Sequence, residues 1–123
     1  MNPNPIERRA SPRCDAVKNR SSIEFETADG RRKVGATLVN ISRHGALVAI
    51  EKRVLHAVPL SLRIESPVRT DWVDAKIVRV DPDQTIGLHF DQGCPDDLLL
   101  AGTVGIDLAY LVRNEINGTT AFD

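Results

Sequence analysis

The sequence predicts a mostly β protein, a small six-stranded antiparallel barrel followed by a C-terminal α-helix. Three observations carry this expectation. Six short segments between Val17 and Phe90 alternate apolar and polar residues, with turn signals between them. Beyond Pro95 the apolar residues recur at three and four, the spacing of an amphipathic helix. The chain has 123 residues, 41% hydrophobic but only 4% aromatic, enough for one modest aliphatic core.

In the first segment Val17, Ile23 and Phe25 share one parity, ahead of the Asp29-Gly30 turn signal. In Val34 to Ile41 the residues Thr37, Val39 and Ile41 fall on one face, and Ser42 to Gly45 reads as a turn. The next segments present Ala46, Val48 and Ile50; Leu60, Leu62 and Ile64; Val73, Ala75 and Ile77; and, beyond the Asp81-Pro82 turn, Ile86, Leu88 and Phe90. Alternation places one face in a core and the other in water. A closed barrel is favoured over an open sandwich because closure removes exposed edges. The helix carries Leu98, Ala101, Val104, Leu108 and Leu111 on one stripe, with Asp96 and Asp97 suiting its positive end and Arg113 its negative end. Gly102 and Gly105 each lower helix propensity by roughly 1 kcal/mol relative to Ala, so the helix depends on packing against the barrel.

The organisation follows. Residues 1–13 form a flexible basic arm, MNPNP and then IERRASPR, with little to pack. Residues 14–113 form a single domain, and 114–123 lack any period and are expected to fray. No unbroken apolar run approaches the roughly 18 residues of a spanning helix, so no membrane insertion is expected. No basic start with a long apolar stretch follows Met1, so no secretory leader is expected either. Cys14 and Cys94 make no CxxC pair and no metal spacing, in keeping with reduced thiols and a cytoplasmic location.

The net charge of −1 hides an asymmetry. Residues 1–79 hold 15 Lys and Arg against 9 Asp and Glu, a balance of +6, and residues 80–123 hold one Arg against 8 acids, a balance of −7. The basic front suits an anionic ligand, or is simply a solvated face. His44, His56 and His89 are not at metal spacing, and no HxxxH or HExxH is present, so no metal is expected. Without a paired acid, base or nucleophile set, no catalytic residue is assigned and no enzyme is expected. A nucleic-acid-binding barrel would need aromatic stacking platforms that this composition does not supply. Trp72 precedes the inward Val73 and reads as a sheet cap or a residue stacked at an interface.

Two clusters remain. Arg9-Ala-Ser-Pro-Arg13 is an RxxxR preceded by Arg8, and Asn40-Ile-Ser42-Arg-His-Gly45 is an NxSxxG. Asn40 and Ser42 share the parity opposite Val39 and Ile41, hence an outward one if those two are in the core. Each cluster alone also fits a structural reading, a solvated arm and an Asx-type turn. Their order and spacing, joined by Ile86-Gly87-Leu88-His89-Phe90 in the last strand, resemble the PilZ domain family. That resemblance implies a six-stranded barrel that binds cyclic di-GMP as a ligand, with no cofactor. It assigns Arg9 and Arg13 to guanine and phosphate contacts, and Asn40, Ser42 and Gly45 to the opposite wall. It makes Arg8 a third contact, of the kind that accompanies two stacked ligands. The chemistry agrees, since an Arg fork matches the O6 and N7 edge of guanine and its plane stacks on a purine. Two departures stand out: Asn40 replaces a frequent Asp, and Cys14 replaces a larger apolar residue. The function implied is a non-catalytic receptor whose arm orders around the ligand and alters association with a protein partner or with a second copy as a homodimer. The alternative is a PilZ-like adaptor that recruits a partner without binding nucleotide.

Overall fold

The computed structural model describes residues 13–52 and 59–107. Arg8, Arg9 and the rest of the arm before Arg13, the end of the predicted helical stripe and the 114–123 tail lie outside the described residues. The elements in chain order are β1 (Cys14–Asp15), β2 (Arg20–Thr27), β3 (Gly30–Ile41), β4 (Gly45–Ile50), β5 (Pro59–Ser66), β6 (Val73–Val80), β7 (Thr85–Phe90) and α1 (Asp96–Thr103). All pairings are antiparallel and run β3-β2-β5-β6-β7-β4 and back to β3, a closed six-stranded barrel, with the two-residue β1 added beside β3. Closure leaves the six strands without a free edge, as the alternating segments lead one to expect.

The core is aliphatic. Ile23 sits opposite both Val34 and Leu62, Ala46 opposite Leu88, and Ala75 opposite Phe90. These residues are buried together with Leu60, Ile64, Ile77 and Ile86. The inward faces of β4 to β7 are those the alternation predicts. β3 differs. Val34, Ala36 and Leu38 point inward, while Val39 is 39% exposed. The β3–β4 register shifts between Leu38 and Asn40. One extra residue at that bulge reverses the parity and brings Ile41 back into the core.

α1 packs on β3 and β5 and buries Leu98, Ala101 and Gly102. Full burial of Leu98 contributes about 1.5–3 kcal/mol. Asp96 and Asp97 occupy its first turn, as expected. The predicted stripe through Leu108 and Leu111 to Arg113 does not continue as one helix, because α1 stops at Thr103. Gly105 adopts φ +78° and its N–H returns to the Leu100 carbonyl at 3.1 Å, the carbonyl that also accepts Val104 N–H at 2.9 Å. A left-handed residue here ends the helix, and glycine adopts that conformation without Cβ strain.

The two cysteines differ sharply. Cys14 is exposed, whereas Cys94 is buried, and burial pushes its thiol up to about 12. Iodoacetamide at neutral pH is therefore expected to modify Cys14 in the native protein and Cys94 only after denaturation. Mass spectrometry of the alkylated chain checks this, and rapid native labelling of Cys94 would contradict the packing.

On the outer face of β2, β3 and β5 the carboxylate of Glu65 gathers three cations. Lys33 Nζ lies 3.1 Å and Arg63 Nε 3.0 Å from its Oε2, and Arg69 Nε 3.7 Å from its Oε1. Burial disfavours the charged carboxylate, but hydrogen bonds from Ser22, Arg63 and Lys33 overcome that and hold it at about 2, below the ordinary 4.5. The stabilisation is complete above the ordinary value and is lost as pH falls toward about 2. Glu65→Gln is expected to lower stability at neutral pH by about 1.5–3 kcal/mol, the range for hydrogen bonds to charged groups. The gap between variant and wild-type melting temperatures should close between pH 4.5 and about 2. A gap that is constant over that window would show that the carboxylate's charge is not what matters.

Candidate functional site

The site begins with an amide standing in for a strand. β2 starts at Arg20, so its ladder ends before it reaches the part of β3 at Leu38. The Asn19 side chain takes that place. Its Oδ1 accepts Leu38 N–H at 3.0 Å, and its Nδ2 donates to the carbonyls of Leu38 at 2.9 Å and Val17 at 2.8 Å. Ser21 Oγ donates to the same Oδ1 at 2.8 Å. A primary amide carries the donor and acceptor of a peptide group, which is why Asn serves here. Ala16 N–H then donates to the Val39 carbonyl and Val17 N–H to Gly102 on α1, both at 2.9 Å. The segment before β2 is thereby clamped between β3 and the helix.

Toward the N-terminus this segment becomes β1, with Asp15 opposite Asn40 and Cys14 opposite Ile41. Arg13, exposed, precedes that ladder directly. The structure therefore brings the second arginine of RxxxR alongside the NxSxxG strand. Asn40 is half-buried, and its Oδ1 is buried with no hydrogen-bond partner among the described residues. A buried acceptor left unpaired costs about 1–3 kcal/mol, so this oxygen is set up to receive a donor.

Ser42 departs from the expected outward placement, and both it and Gly45 are buried. Ile41 beside it is in the core, so strand parity alone would turn Ser42 outward; the turn that follows is what buries it and consumes its hydroxyl. Ser42 Oγ accepts His44 N–H and Gly45 N–H, both at 3.2 Å, and lies 3.3 Å from the Gly45 carbonyl as a donor. A Cβ on Gly45 would collide with the Leu88 carbonyl oxygen of β7. Gly45 is thus required by the approach of β4 to β7.

Sequence reasoning missed Asn19 and Arg43. Arg43 Nη1 pairs with Asp96 Oδ1 at 2.6 Å, and the Arg43 and His44 carbonyls accept Cys94 N–H at 2.7 Å and Phe90 N–H at 2.8 Å. The turn is in this way fixed to β7 and to the start of α1. Asn19 had a local signal, an Asn just ahead of a strand. The Arg43–Asp96 pair spans 53 positions and had none.

A cavity of about 370 Å³ lies elsewhere, lined by Trp72, Asp74, Asp91 and Gly93 among others and by none of the motif residues. Among the described residues no group of His, Cys, Asp and Glu is placed to hold a metal ion, and no helix is long and apolar enough to cross a membrane. What the site offers is the exposed Arg13 at the start of the β1 ladder, next to the strand that carries a buried amide oxygen with no hydrogen-bond partner among the described residues. That pairing can receive a ligand presenting both an acceptor edge and N–H donors.

The sequence matches the PilZ domain family over residues 7–101, a span that contains both motifs and reaches α1. The chain belongs to the PilZ domain family. Its fold is similar to that of the PilZ domain of YcgR from Escherichia coli, solved with c-di-GMP, at a TM-score of 0.56 and 14% sequence identity. The likeness covers 89% of this PilZ domain chain and 98% of the other. No curated protein sequence matches the chain.

Proposed function

We propose that this PilZ domain is a non-catalytic receptor for cyclic di-GMP, signalling by ordering its arm over the β3–β4 turn and so changing its association with a protein partner or a second copy. The observation that supports this most is the buried, unpaired Oδ1 of Asn40 beside the β1 ladder that anchors Arg13. The N1–H and N2–H of a guanine are donors for that oxygen, while the O6 and N7 edge accepts an arginine fork. In this reading Arg13 and Arg9 take guanine and phosphate, Arg8 supports a second stacked ligand, and Ser42 and Gly45 hold the turn that presents Asn40. The c-di-GMP held by the similar PilZ domain of YcgR supports the choice of ligand.

A second reading has its own support. Ser42 and Gly45, two of the three fixed positions of NxSxxG, already have structural roles, which would suit an adaptor that keeps the turn and has no nucleotide. Calorimetric titration with cyclic di-GMP, with GTP and linear pGpG as controls, separates the two. Saturable heat for cyclic di-GMP alone supports the receptor. No heat, and no shift in melting temperature with excess ligand, leaves the adaptor. Appearance of pGpG during incubation would overturn the non-catalytic assignment.

A further inference from the structure

We infer that the outer face around Trp72 and Arg63 is a docking surface for an acidic segment of a partner protein. Its residues lie on β2, β3, β5 and the segment before β6, and none belongs to the β1 ladder or the β3–β4 turn, so it stands whether or not the chain binds nucleotide.

The centre is a stacked pair. The Arg63 guanidinium carbon lies 4.2 Å from the centroid of the Trp72 ring, and Lys33 Nζ lies 6.0 Å from the same centroid. Arg63 Nε is also bonded to Glu65 at 3.0 Å. The stack and the ion pair together fix the plane of a side chain that is only 13% exposed. Its terminal nitrogens form a fork whose geometry matches a carboxylate, and an already ordered fork loses little freedom on binding one. Around it Lys33 and Arg69, 49% and 65% exposed, share the same Glu65 carboxylate. Glu24, opposite Lys33 in the β2–β3 ladder, is taken by Arg31 at 2.6 Å, so the three cations face Glu65 and the exposed Asp71 beside Trp72, which leaves one positive charge in excess. Arg20, exposed and opposite Ser66 in the β2–β5 ladder, adds another at the same edge.

Charge selects the partner. A face with surplus positive charge and a half-ordered cationic rim attracts carboxylates and repels basic chains. Trp and Arg are the residue types concentrated at the centres of protein interfaces, ringed by more exposed polar groups. A single-stranded nucleic acid calls for a series of stacking rings, and Trp72 is the chain's sole tryptophan. An anionic membrane calls for loosely held cations beside exposed apolar side chains, whereas Arg63 is pinned on two sides.

The test pans a displayed library of random peptides on the wild-type chain after depletion on a Lys33→Ser, Arg69→Ser double variant. Both replaced side chains are substantially exposed, so the barrel is retained. The expected result is enrichment of peptides bearing several Asp or Glu residues. Their synthetic forms should change the emission of Trp72 saturably and bind the double variant, and Arg63→Ala, about 10-fold or more weakly. Enrichment of basic or apolar peptides, equal affinity for the double variant, or no saturable change in Trp72 emission would overturn the assignment. So would preferential binding to phosphatidylserine vesicles or to a single-stranded oligonucleotide, or a self-association in sedimentation that the double variant abolishes. A parallel cyclic di-GMP titration of the double variant, expected to match the wild type, keeps failure of this surface distinct from failure of the nucleotide site.

Discussion

Gly45→Ala is expected to destabilise the barrel by about 3 kcal/mol, the upper part of the range for overpacked sites, and to lower the melting temperature by roughly 10 °C. The atom in the way is the Leu88 carbonyl oxygen, which is backbone. It cannot rotate aside, because Leu88 is paired on one side with Ala46 and on the other with Ile77. Relief therefore requires β4 and β7 to separate, and they form one seam of the closed barrel. Gly35→Ala is the control. There the atoms nearest a Cβ are those of the Glu51 carboxylate, the far end of a flexible, exposed side chain, and the melting temperature should stay within about 3 °C of wild type. Thermal unfolding followed by circular dichroism measures both. If Gly45→Ala melts like Gly35→Ala, the backbone approach is not what requires glycine at this position.

The arginines should show the opposite pattern, with affinity lost and stability kept. Arg9→Ala and Arg13→Ala each remove charge-assisted hydrogen bonds worth roughly 1.5–3 kcal/mol, so affinity for cyclic di-GMP should fall about 10- to 100-fold. Arg8→Ala should lower the number of ligands bound toward one while leaving substantial affinity. Arg63→Ala, on the Trp72 face, should leave nucleotide binding unchanged. Calorimetry reads affinity and stoichiometry together. A solvated basic arm would give a different result: small, uniform losses across the series that added salt reproduces. Equal losses for Arg9→Ala and Arg63→Ala would refute the assigned site even if the nucleotide still bound. Ser42→Ala belongs with the stability variants. It leaves His44 N–H and Gly45 N–H without their acceptor, a loss of about 1–3 kcal/mol when such groups are buried.

Much of this fold is legible in the chain because alternation survives wherever the ladder is regular. Leu60, Leu62 and Ile64, or Ile86, Leu88 and Phe90, read correctly as inward faces. Alternation fails at β3, where a single bulge residue between Leu38 and Asn40 reverses every side chain beyond it. A bulge leaves no mark in the residue types around it, so Val39 looked like core; Ser42 looked exposed because alternation does not describe the turn that buries it. The helix was overextended for a related reason. The stripe from Leu98 to Leu111 is real as spacing, but the left-handed turn at Gly105 interrupts the backbone that would carry it. At the candidate site, RxxxR and NxSxxG singled out Arg13 and Asn40, and the β1–β3 ladder places them on neighbouring segments. The role of Gly45 depends on Leu88 of β7, more than 40 positions away in the sequence. The Glu65 cluster draws on β2, β3 and β5 and has no linear signature at all.

The short β1 ladder also sets a local concentration. Cys14 is fixed opposite Ile41, so Arg9 lies five residues from a stationary point and can range no farther than about 18 Å from it. A group confined to so small a volume behaves as though present at millimolar levels or above. In the proposed receptor the arginines of the arm act on a ligand at the β3–β4 turn as an intramolecular reaction, independent of protein concentration. A detached peptide carrying the same RxxxR would have to be supplied at millimolar concentration to take their place, and severing the chain between Arg13 and Cys14 would forfeit that advantage.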